Sequence, residues 1–217
     1  MKNMFVIING SGGNGKDTFV KDVTKVAPEH DLEVLNFSTV DFYKEVVQCI
    51  GLYYKEVEEA AAKKDDKFRS CLARLKSQFD NDYDMDTYLL DHLLDGIGAM
   101  NYKNPMDRLI FIHCREPKNI QLTKWRLDQE GTKYRLSHYA EICGVPGHDR
   151  NIDLGIRTLL VYGRHDPTEY TNMADRSVYS YNYDYRIDNS GSKKDLEFQA
   201  RSWLGTLMQD LTQTSTS

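Results

Sequence analysis

Short apolar segments of strand length alternate along the chain with stretches of helical periodicity. Each apolar segment is nearly continuous, which is typical of strands buried on both faces of a sheet. Strands separated by helices indicate parallel pairing with helices on both sides of the sheet. The sequence therefore predicts an α/β fold whose parallel sheet has five strands, at Met4–Asn9, Leu32–Phe37, Leu109–Cys114, Thr158–Tyr162 and Tyr181–Ile187.

The last helix has a clear beginning in the sequence. Asn189-Ser190-Gly191 is a turn, and Ser192 with Asp195 forms a start that resembles a capping box. Apolar residues then recur at helical spacing and predict one buried face, made of Leu196, Ala200, Trp203, Leu204, Leu207, Met208 and Leu211. The polar residues 212–217 that follow are expected to form a flexible tail.

Tyrosines occupy alternate positions from Tyr179 to Tyr185, around the fifth predicted strand. Alternate residues of a strand point to the same face, so the pattern places these rings on one side of the sheet. Packing on the sheet is favoured over stacking on a nucleic-acid base.

Two segments are longer than a simple connection between strands requires. Residues 41–105 hold several helical patterns, and residues 119–157 are polar and rich in Lys and Arg. Both follow predicted strand ends, where open α/β sheets bind their ligands. No repeat or linker divides the chain, so we expect one domain over residues 1–211 that carries both segments as insertions.

A glycine-rich turn joins the first predicted strand to a helix. Glycines permit positive φ, so the backbone can curl around an anion with its N–H groups pointing inward. The helix N-terminus adds partial positive charge, and Lys16 adds a full one. The candidate phosphate-binding residues of a nucleotide site are therefore Gly10, Gly12, Gly13, Asn14, Gly15, Lys16, Asp17 and Thr18.

Asp17 departs from the common form of this loop. A Ser or Thr usually follows the Lys and holds Mg²⁺ through its hydroxyl, whereas here Thr18 comes one residue later. The Asp17 carboxylate could meet the metal directly or through water, or it could stabilise the helix start by its charge. Asp17 and Thr18 are the candidate metal ligands.

Composition restricts the class of protein. The chain has 217 residues, a net charge of −5 and 40% hydrophobic residues, enough for a buried core. The negative charge argues against a nucleic-acid polymer as partner. No apolar run approaches the ~20 residues of a membrane span, and no signal peptide precedes the first strand. The four cysteines are far apart, which favours reduced thiols in a cytoplasm.

With this loop and layout, the chain resembles the nucleoside monophosphate kinases of the P-loop superfamily. In particular it resembles the phage-type deoxynucleoside monophosphate kinases, which share the Gly-Lys-Asp-Thr form of Gly15–Thr18. The resemblance implies a three-layer P-loop fold with strand order 2-3-1-4-5, a helical acceptor-binding insert and a mobile lid. Residues 41–105 and 119–157 stand where the insert and the lid would fall.

A second block ends the third predicted strand, at His113-Cys114-Arg115-Glu116. A similar Asp-Val-Arg segment ends a strand in the phage enzymes, with His113 here in place of the Asp. The resemblance makes Arg115 a candidate catalytic residue, and Glu116 could orient the acceptor or a water-bound Mg²⁺. The alternative is an exposed Arg–Glu pair without a role.

Acceptor-site candidates come from the segment after the second strand. Asp41 and Lys44 lie three residues apart at a helix start, so they could share one face. A plain N-cap at Ser38 or Thr39 explains this segment equally well. Arg69, farther along, could clamp a monophosphate with two hydrogen bonds or simply lie on the surface.

A basic lid would place positive charge on the transferred phosphoryl group and exclude water. The lid candidates are Lys124, Arg126, Lys133, Arg135, Arg150 and Arg157, with Arg126 the first choice as a catalytic residue. Arg164, after the fourth strand, is another basic group on the same rim.

The sequence thus predicts ATP- and Mg²⁺-dependent phosphoryl transfer to a nucleoside or deoxynucleoside monophosphate. Two alternatives stay open: a P-loop kinase of another phosphorylated metabolite, such as phosphomevalonate or dephospho-coenzyme A, and a non-catalytic nucleotide-binding regulator. We expect small nucleotides as partners, no membrane association, and either a monomer or a homodimer.

Overall fold

The structure is a computed structural model of the 217-residue chain. The residues that it describes are 2–51, 72, 74–79, 85–104, 106–114, 116–132, 136, 153–166 and 173–214.

Five parallel strands form one sheet in the order β2-β3-β1-β4-β5. Strand β1 lies at the centre and pairs in parallel with β3 on one side and with β4 on the other, and β4 pairs in parallel with β5. The strands are β1 (Lys2–Asn9), β2 (Leu32–Ser38), β3 (Asp107–His113), β4 (Asp153–Tyr162) and β5 (Tyr185–Asp188). The predicted α/β class and the strand order 2-3-1-4-5 are confirmed.

Helices connect the strands, as parallel pairing requires. Those with assigned bounds are α1 (Lys16–Val26), α2 (Thr39–Gly51), α3 (Met85–Lys103), α4 (Pro117–Leu127), α5 (Met173–Arg176) and α6 (Lys193–Thr214). Short 3₁₀ turns follow α1 and α5, at Ala27–His30 and Val178–Ser180.

The core forms around β1, in which every residue from Asn3 to Asn9 is buried. One face of the sheet packs against α1 and α6, where the rings of Phe19 and Trp203 meet edge to face with centroids 5.3 Å apart. Burial on both faces explains why the strand is an unbroken apolar run between two asparagines.

A buried arginine ties the start of β3 to its neighbours. The Arg108 side chain is 2% exposed, and its Nε donates to Glu33 Oε2 at 2.6 Å. Its other nitrogens donate to Asn101 Oδ1 and to the carbonyl of Asn104. A buried guanidinium needs such a set of acceptors, so these contacts fix the end of α3 against the sheet.

The chain divides into two compact units. The first comprises Met1–Asn36 and Leu94–Ser217, and the second comprises Phe37–Leu93. The second unit has its own small core, in which Tyr43 and Leu72 are buried and Phe79 packs against Tyr43. The predicted extent of the acceptor insert, residues 41–105, stays a prediction.

Four of the five predicted strands lie at the observed ones, but the fifth is placed too early. Strand β5 begins at Tyr185, whereas Tyr179 lies in the 3₁₀ turn and Tyr181 and Tyr183 precede the strand. The Asp184 carboxylate accepts hydrogen bonds from the Thr158 N–H and hydroxyl, at 2.7 and 2.8 Å. That contact joins the chain to the side of β4 before pairing begins, so the alternating tyrosines do not share a strand face.

The start of the last helix is confirmed. The Asp195 N–H donates to Ser192 Oγ at 3.3 Å, and the Ser192 N–H donates to Asp195 Oδ2 at 2.7 Å. The buried face contains Leu196, Ala200, Trp203, Leu204 and Leu207, as predicted. Helix α6 continues to Thr214, so it includes three residues, 212–214, that the sequence assigned to the flexible tail.

Within the described residues, the structure contains no helix that is long and apolar enough to cross a membrane.

Asn3 offers a test of the core. It is fully buried in β1, and neither its Oδ1 nor its Nδ2 has a hydrogen-bond partner among the described residues. We expect Asn3→Leu to raise the free energy of unfolding by about 1 kcal/mol, because an unsatisfied buried amide is costly. The melting temperature should rise by about 3 °C, which calorimetry would measure.

The matched control is Asn101→Leu, which removes an acceptor of the Arg108 guanidinium. We expect this variant to lose about 2 kcal/mol in the same measurement. Destabilisation by both substitutions would show that Asn3 is satisfied in solution.

Candidate functional site

The glycine-rich turn joins β1 to α1 at the C-terminal edge of the sheet. Gly10, Gly13 and Gly15 have φ values of 147°, 81° and 88°, in the region that favours glycine. The first hydrogen bond of the helical ladder runs from the Phe19 N–H to the Gly15 carbonyl at 2.9 Å. Asp17 and Thr18 therefore lie in the first turn of α1, where N–H groups have no acceptor within a helix.

Lys16 folds back over the loop that precedes it. Its Nζ donates to the Gly10 carbonyl and to the Ser11 carbonyl, the latter at 3.1 Å. The ammonium group is therefore held at the mouth of the loop by backbone oxygens. In that position its charge can attract an anion that the loop amides surround.

Two of the glycines are required by close neighbours. A Cβ on Gly10 would lie 2.2 Å from the Val161 carbonyl oxygen in β4, and one on Gly15 would lie 2.2 Å from Asn189 Nδ2. Both distances are far below normal van der Waals contact. The loop thus packs directly against the end of β4 and against the residue that follows β5.

We call the described residues between β4 and β5, 163–166 and 173–184, the β4–β5 connection; several of them contact the loop from the same edge. Its Asp175 carboxylate accepts a hydrogen bond from the Gly12 N–H at 3.0 Å. The Asp175 carbonyl accepts another from the Ser11 hydroxyl at 2.9 Å. Asp175 and Ser11 are almost fully buried, and the contact between Asp175 and Gly12 is partly buried.

Asn14, at the tip of the loop, is held by two further residues. The Asn14 side-chain oxygen accepts from the His165 N–H at 3.0 Å, and the Asn14 carbonyl accepts from Asn189 Nδ2 at 2.9 Å. The His165 ring lies over Gly13, because a Cβ there would be 3.0 Å from His165 Nε2. These contacts fix the loop conformation from outside the loop itself.

Tyr183 supports the end of β1, just before the loop. Its hydroxyl accepts a hydrogen bond from Asn9 Nδ2 at 2.6 Å, and Asn9 Oδ1 accepts from the Gly10 N–H at 2.7 Å. Burial raises the pKa of the Tyr183 hydroxyl well above its usual range. The hydroxyl therefore stays neutral and adds no negative charge beside the loop.

Asp17 and His113 face each other at the end of β3. The Asp17 side chain is 79% exposed, and its Oδ1 lies 3.9 Å from His113 Nδ1. The other ring nitrogen of His113, Nε2, contacts Asn36 Oδ1 at 2.7 Å. An amide oxygen only accepts, so this contact requires a proton on Nε2.

Asp17 and Thr18 place two oxygen donors at the start of α1. In the described part of the chain, no group of three or more His, Cys, Asp or Glu residues could hold a metal ion. Mg²⁺ is usually held by one or two carboxylates together with substrate phosphates and waters. The exposed Asp17 carboxylate and the neighbouring Thr18 hydroxyl are compatible with that arrangement.

Two of the predicted catalytic and substrate residues, Arg115 and Arg69, lie outside the described residues. Glu116 is exposed and immediately precedes α4. Asp41 and Lys44 share one face of α2, as predicted, and form an exposed ion pair with Nζ 2.6 Å from Oδ1. The Ser38 hydroxyl lies 3.4 Å from the Val40 N–H, a weak capping contact before α2.

The predicted lid-like segment, about residues 119–157, overlaps α4 and β4. Helix α4 includes residues 119–127 of that segment and buries Ile120 and Leu127, and β4 includes residues 153–157. Lys124 and Arg126 therefore lie in the last turn of a packed helix. The predicted lid residues Lys133, Arg135 and Arg150 lie outside the described residues.

The prediction that Arg157 belongs to a lid is wrong. Arg157 lies within β4 and is in register with Val6 of β1, well before the strand ends at Tyr162. Its Nη1 donates to the carbonyl of Ile156 at 3.0 Å. Richness in Lys and Arg did not reveal where the strand begins, because a long basic side chain can leave a strand and still reach solvent.

Asp175, His165 and Asn189 contact the loop, Tyr183 contacts Asn9 just before it, and the sequence did not indicate any of them. They are more than 145 residues from it along the chain, as the separations of 151 for His165–Asn14 and 163 for Asp175–Gly12 show. The one usable signal was that they follow the fourth and fifth strands, whose ends share an edge with the loop. Arg164, which was noted on that rim, is exposed.

Neither a search of protein-family models nor a comparison with curated proteins finds a match for this chain.

Because Gly10 lies very close to β4, the addition of a single methyl group at this position should strongly lower the stability of the fold. Gly10→Ala places a Cβ 2.2 Å from a backbone oxygen that pairing holds in place. We expect a loss of more than about 2 kcal/mol of stability in urea denaturation, from steric clash and backbone strain. The control is Gly205→Ala in α6, where nothing lies within 4 Å of the new Cβ.

Gly205→Ala should be neutral or gain up to about 1 kcal/mol, as expected for a helical glycine. A Gly10→Ala midpoint that equals the wild-type value would show that β4 can move away from the loop.

Proposed function

We propose that this chain is a P-loop kinase that transfers the γ-phosphoryl group of ATP to a nucleoside or deoxynucleoside monophosphate. The observation that carries the proposal is the unit of β1, glycine-rich loop and α1. Three loop glycines have positive φ there, and Lys16 Nζ is held at the carbonyls of Gly10 and Ser11. Such a unit at the edge of a parallel sheet is suited to a triphosphate.

In the proposed complex, the N–H groups from Gly13 to Thr18 bind phosphate oxygens, and Lys16 balances their charge. Asp17 and Thr18 would hold a bound Mg²⁺, which would neutralise charge on the phosphates. No general base is needed, because an oxygen of the acceptor monophosphate is already anionic. Positioning and positive charge are therefore what the protein has to supply.

The acceptor side of the proposal depends on the resemblance to monophosphate kinases. Asp41 and Lys44 would contact the acceptor nucleotide, and Glu116 would orient it. Arg115, Arg69 and Arg126 would stabilise its phosphate and the charge of the transition state. Phosphomevalonate or dephospho-coenzyme A would require the same loop chemistry with a different acceptor contact, so these substrates remain alternatives.

A second candidate is a nucleotide-binding regulator without efficient transfer. The contact that favours it is the 3.9 Å separation between His113 Nδ1 and Asp17 Oδ1. If His113 is protonated, it pairs with the carboxylate and weakens the attraction of Asp17 for a metal. Tight nucleotide binding without turnover on any acceptor would support this alternative.

The kinase proposal is tested by ADP release with Mg-ATP against a panel of ribo- and deoxyribonucleoside monophosphates. We expect turnover on at least one nucleotide, and we expect Lys16→Ala to reduce kcat by at least about 100-fold, because it removes the charge next to the transferred group. Lys21→Ala is the control, since Lys21 is exposed on the same helix.

Lack of turnover across the panel, with ATP binding retained, would contradict the monophosphate-kinase proposal. Phosphomevalonate and dephospho-coenzyme A are then the next acceptors to assay.

The two interpretations of Asp17 predict different Mg²⁺ responses. If the carboxylate helps hold the metal, Asp17→Asn should weaken ADP binding about tenfold in Mg²⁺ and leave it unchanged in EDTA. Asp17→Ser, which introduces the hydroxyl usual at this position, should restore binding in Mg²⁺. Titration calorimetry in both buffers measures the difference.

If Asp17 acts only through the helix dipole, Asp17→Asn should instead lower stability by about 0.5 kcal/mol. Asp17→Asn would then change ADP affinity by the same factor in Mg²⁺ and in EDTA. That result would exclude a metal-binding role for Asp17.

A further inference from the structure

We propose that Asp175 is a positioning residue that holds the glycine-rich loop in its phosphate-binding conformation. The inference rests on the proposed nucleotide-binding function of the loop. It assigns a role to the β4–β5 connection, which neither the loop motif nor the predicted lid includes. Asp175 is 1% exposed, so its carboxylate acts on the protein interior and not on solvent.

The geometry joins Asp175 to two consecutive loop residues. Its carboxylate accepts from the Gly12 N–H at 3.0 Å, and its backbone carbonyl accepts from the Ser11 hydroxyl at 2.9 Å. One bond uses the backbone of the loop and the other uses a side chain. Together they restrain both the position and the orientation of this part of the loop, as a single bond would not.

The loop has a particular need for such a restraint. Gly10, Gly13 and Gly15 all have positive φ, and glycine is the residue that loses most conformational freedom on folding. A loop of this composition has many conformations when it is not held. A hydrogen bond to a charged acceptor is stronger than one to a neutral acceptor. The Asp175 carboxylate is therefore well suited to hold the loop.

The restraint leaves the ligand side of the loop available. Gly12 precedes the stretch from Gly13 to Thr18, whose last residues open α1 and belong to the helix terminus that favours anions. Asp175 thus contacts the loop at its entry, while the phosphates would bind farther along. A loop that is already ordered binds its ligand more tightly, because less freedom is lost on binding.

A different role would follow if the carboxylate competed with phosphate for the loop. Both ligands are anions, so removal of the Asp175 charge would then increase nucleotide affinity. Positioning and competition therefore predict opposite signs for the effect of removing the side chain. Asp175→Asn keeps an oxygen that can accept from the Gly12 N–H, whereas Asp175→Ala keeps none.

The experiment measures the affinity of the full-length chain for ADP in Mg²⁺ by titration calorimetry, well below the unfolding temperature of each variant. We expect Asp175→Ala to bind at least about tenfold more weakly, because the loop loses a charged hydrogen bond. Asp175→Asn should remain within about threefold of wild type. Asp22→Ala is the matched control, since Asp22 is a buried aspartate of α1 that pairs with Lys25.

Asp22→Ala should lower the unfolding midpoint and leave ADP affinity unchanged, which separates positioning from general stability. Ser11→Ala removes the second bond alone and should weaken ADP binding even if Asp175→Ala does not fold. The inference, but not the proposed function, would be overturned if Asp175→Ala or Ser11→Ala bound ADP with wild-type affinity. Tighter ADP binding by both Asp175 variants would overturn it as well. Failure of the wild-type chain to bind ADP in a Lys16-dependent way would overturn the proposed function together with it.

Discussion

The contact between Gly10 and the Val161 carbonyl is the constraint on which the candidate site depends. Strand β1 pairs on both sides, so the chain that leaves it must turn within the space between the ends of β3 and β4. A side chain at position 10 does not fit there, because its Cβ would lie 2.2 Å from a backbone oxygen. The glycine lets the turn begin at once, and α1 can then start on the face of the sheet where Phe19 meets Trp203.

The conformation of the loop is determined largely by residues far from it in sequence. Asp175 contacts Ser11 and Gly12, whereas His165 and Asn189 both contact Asn14, and all three lie in the chain that follows β4 or β5. Positive φ at the glycines makes the turn possible, but these hydrogen bonds select one conformation from many. The site is therefore a property of the sheet edge and not of the motif alone.

The sequence predicted the features that depend on local patterns. Continuous apolar runs predicted the strands because burial on both faces requires them, and Ser192 with Asp195 predicted the start of α6 because capping is local. The alternating tyrosines led to a wrong start for the fifth strand, because Asp184 binds Thr158 and β5 begins only at Tyr185. Arg157 was wrongly placed in the lid, because charge alone does not show where a strand begins. The residues that contact the loop could not be predicted, because long-range contacts have no characteristic separation in the sequence.

The most specific chemical question about the proposed function concerns the pair of Asp17 and His113. Here the carboxylate lies on the loop and the strand end carries an imidazole, with 3.9 Å between Nδ1 and Oδ1. The Asp17 carboxylate and the His113 imidazole therefore lie close enough for the charge of one to affect the other. A metal drawn to Asp17 would meet the His113 ring, so the protonation of Nδ1 decides whether that carboxylate attracts a cation or is already paired.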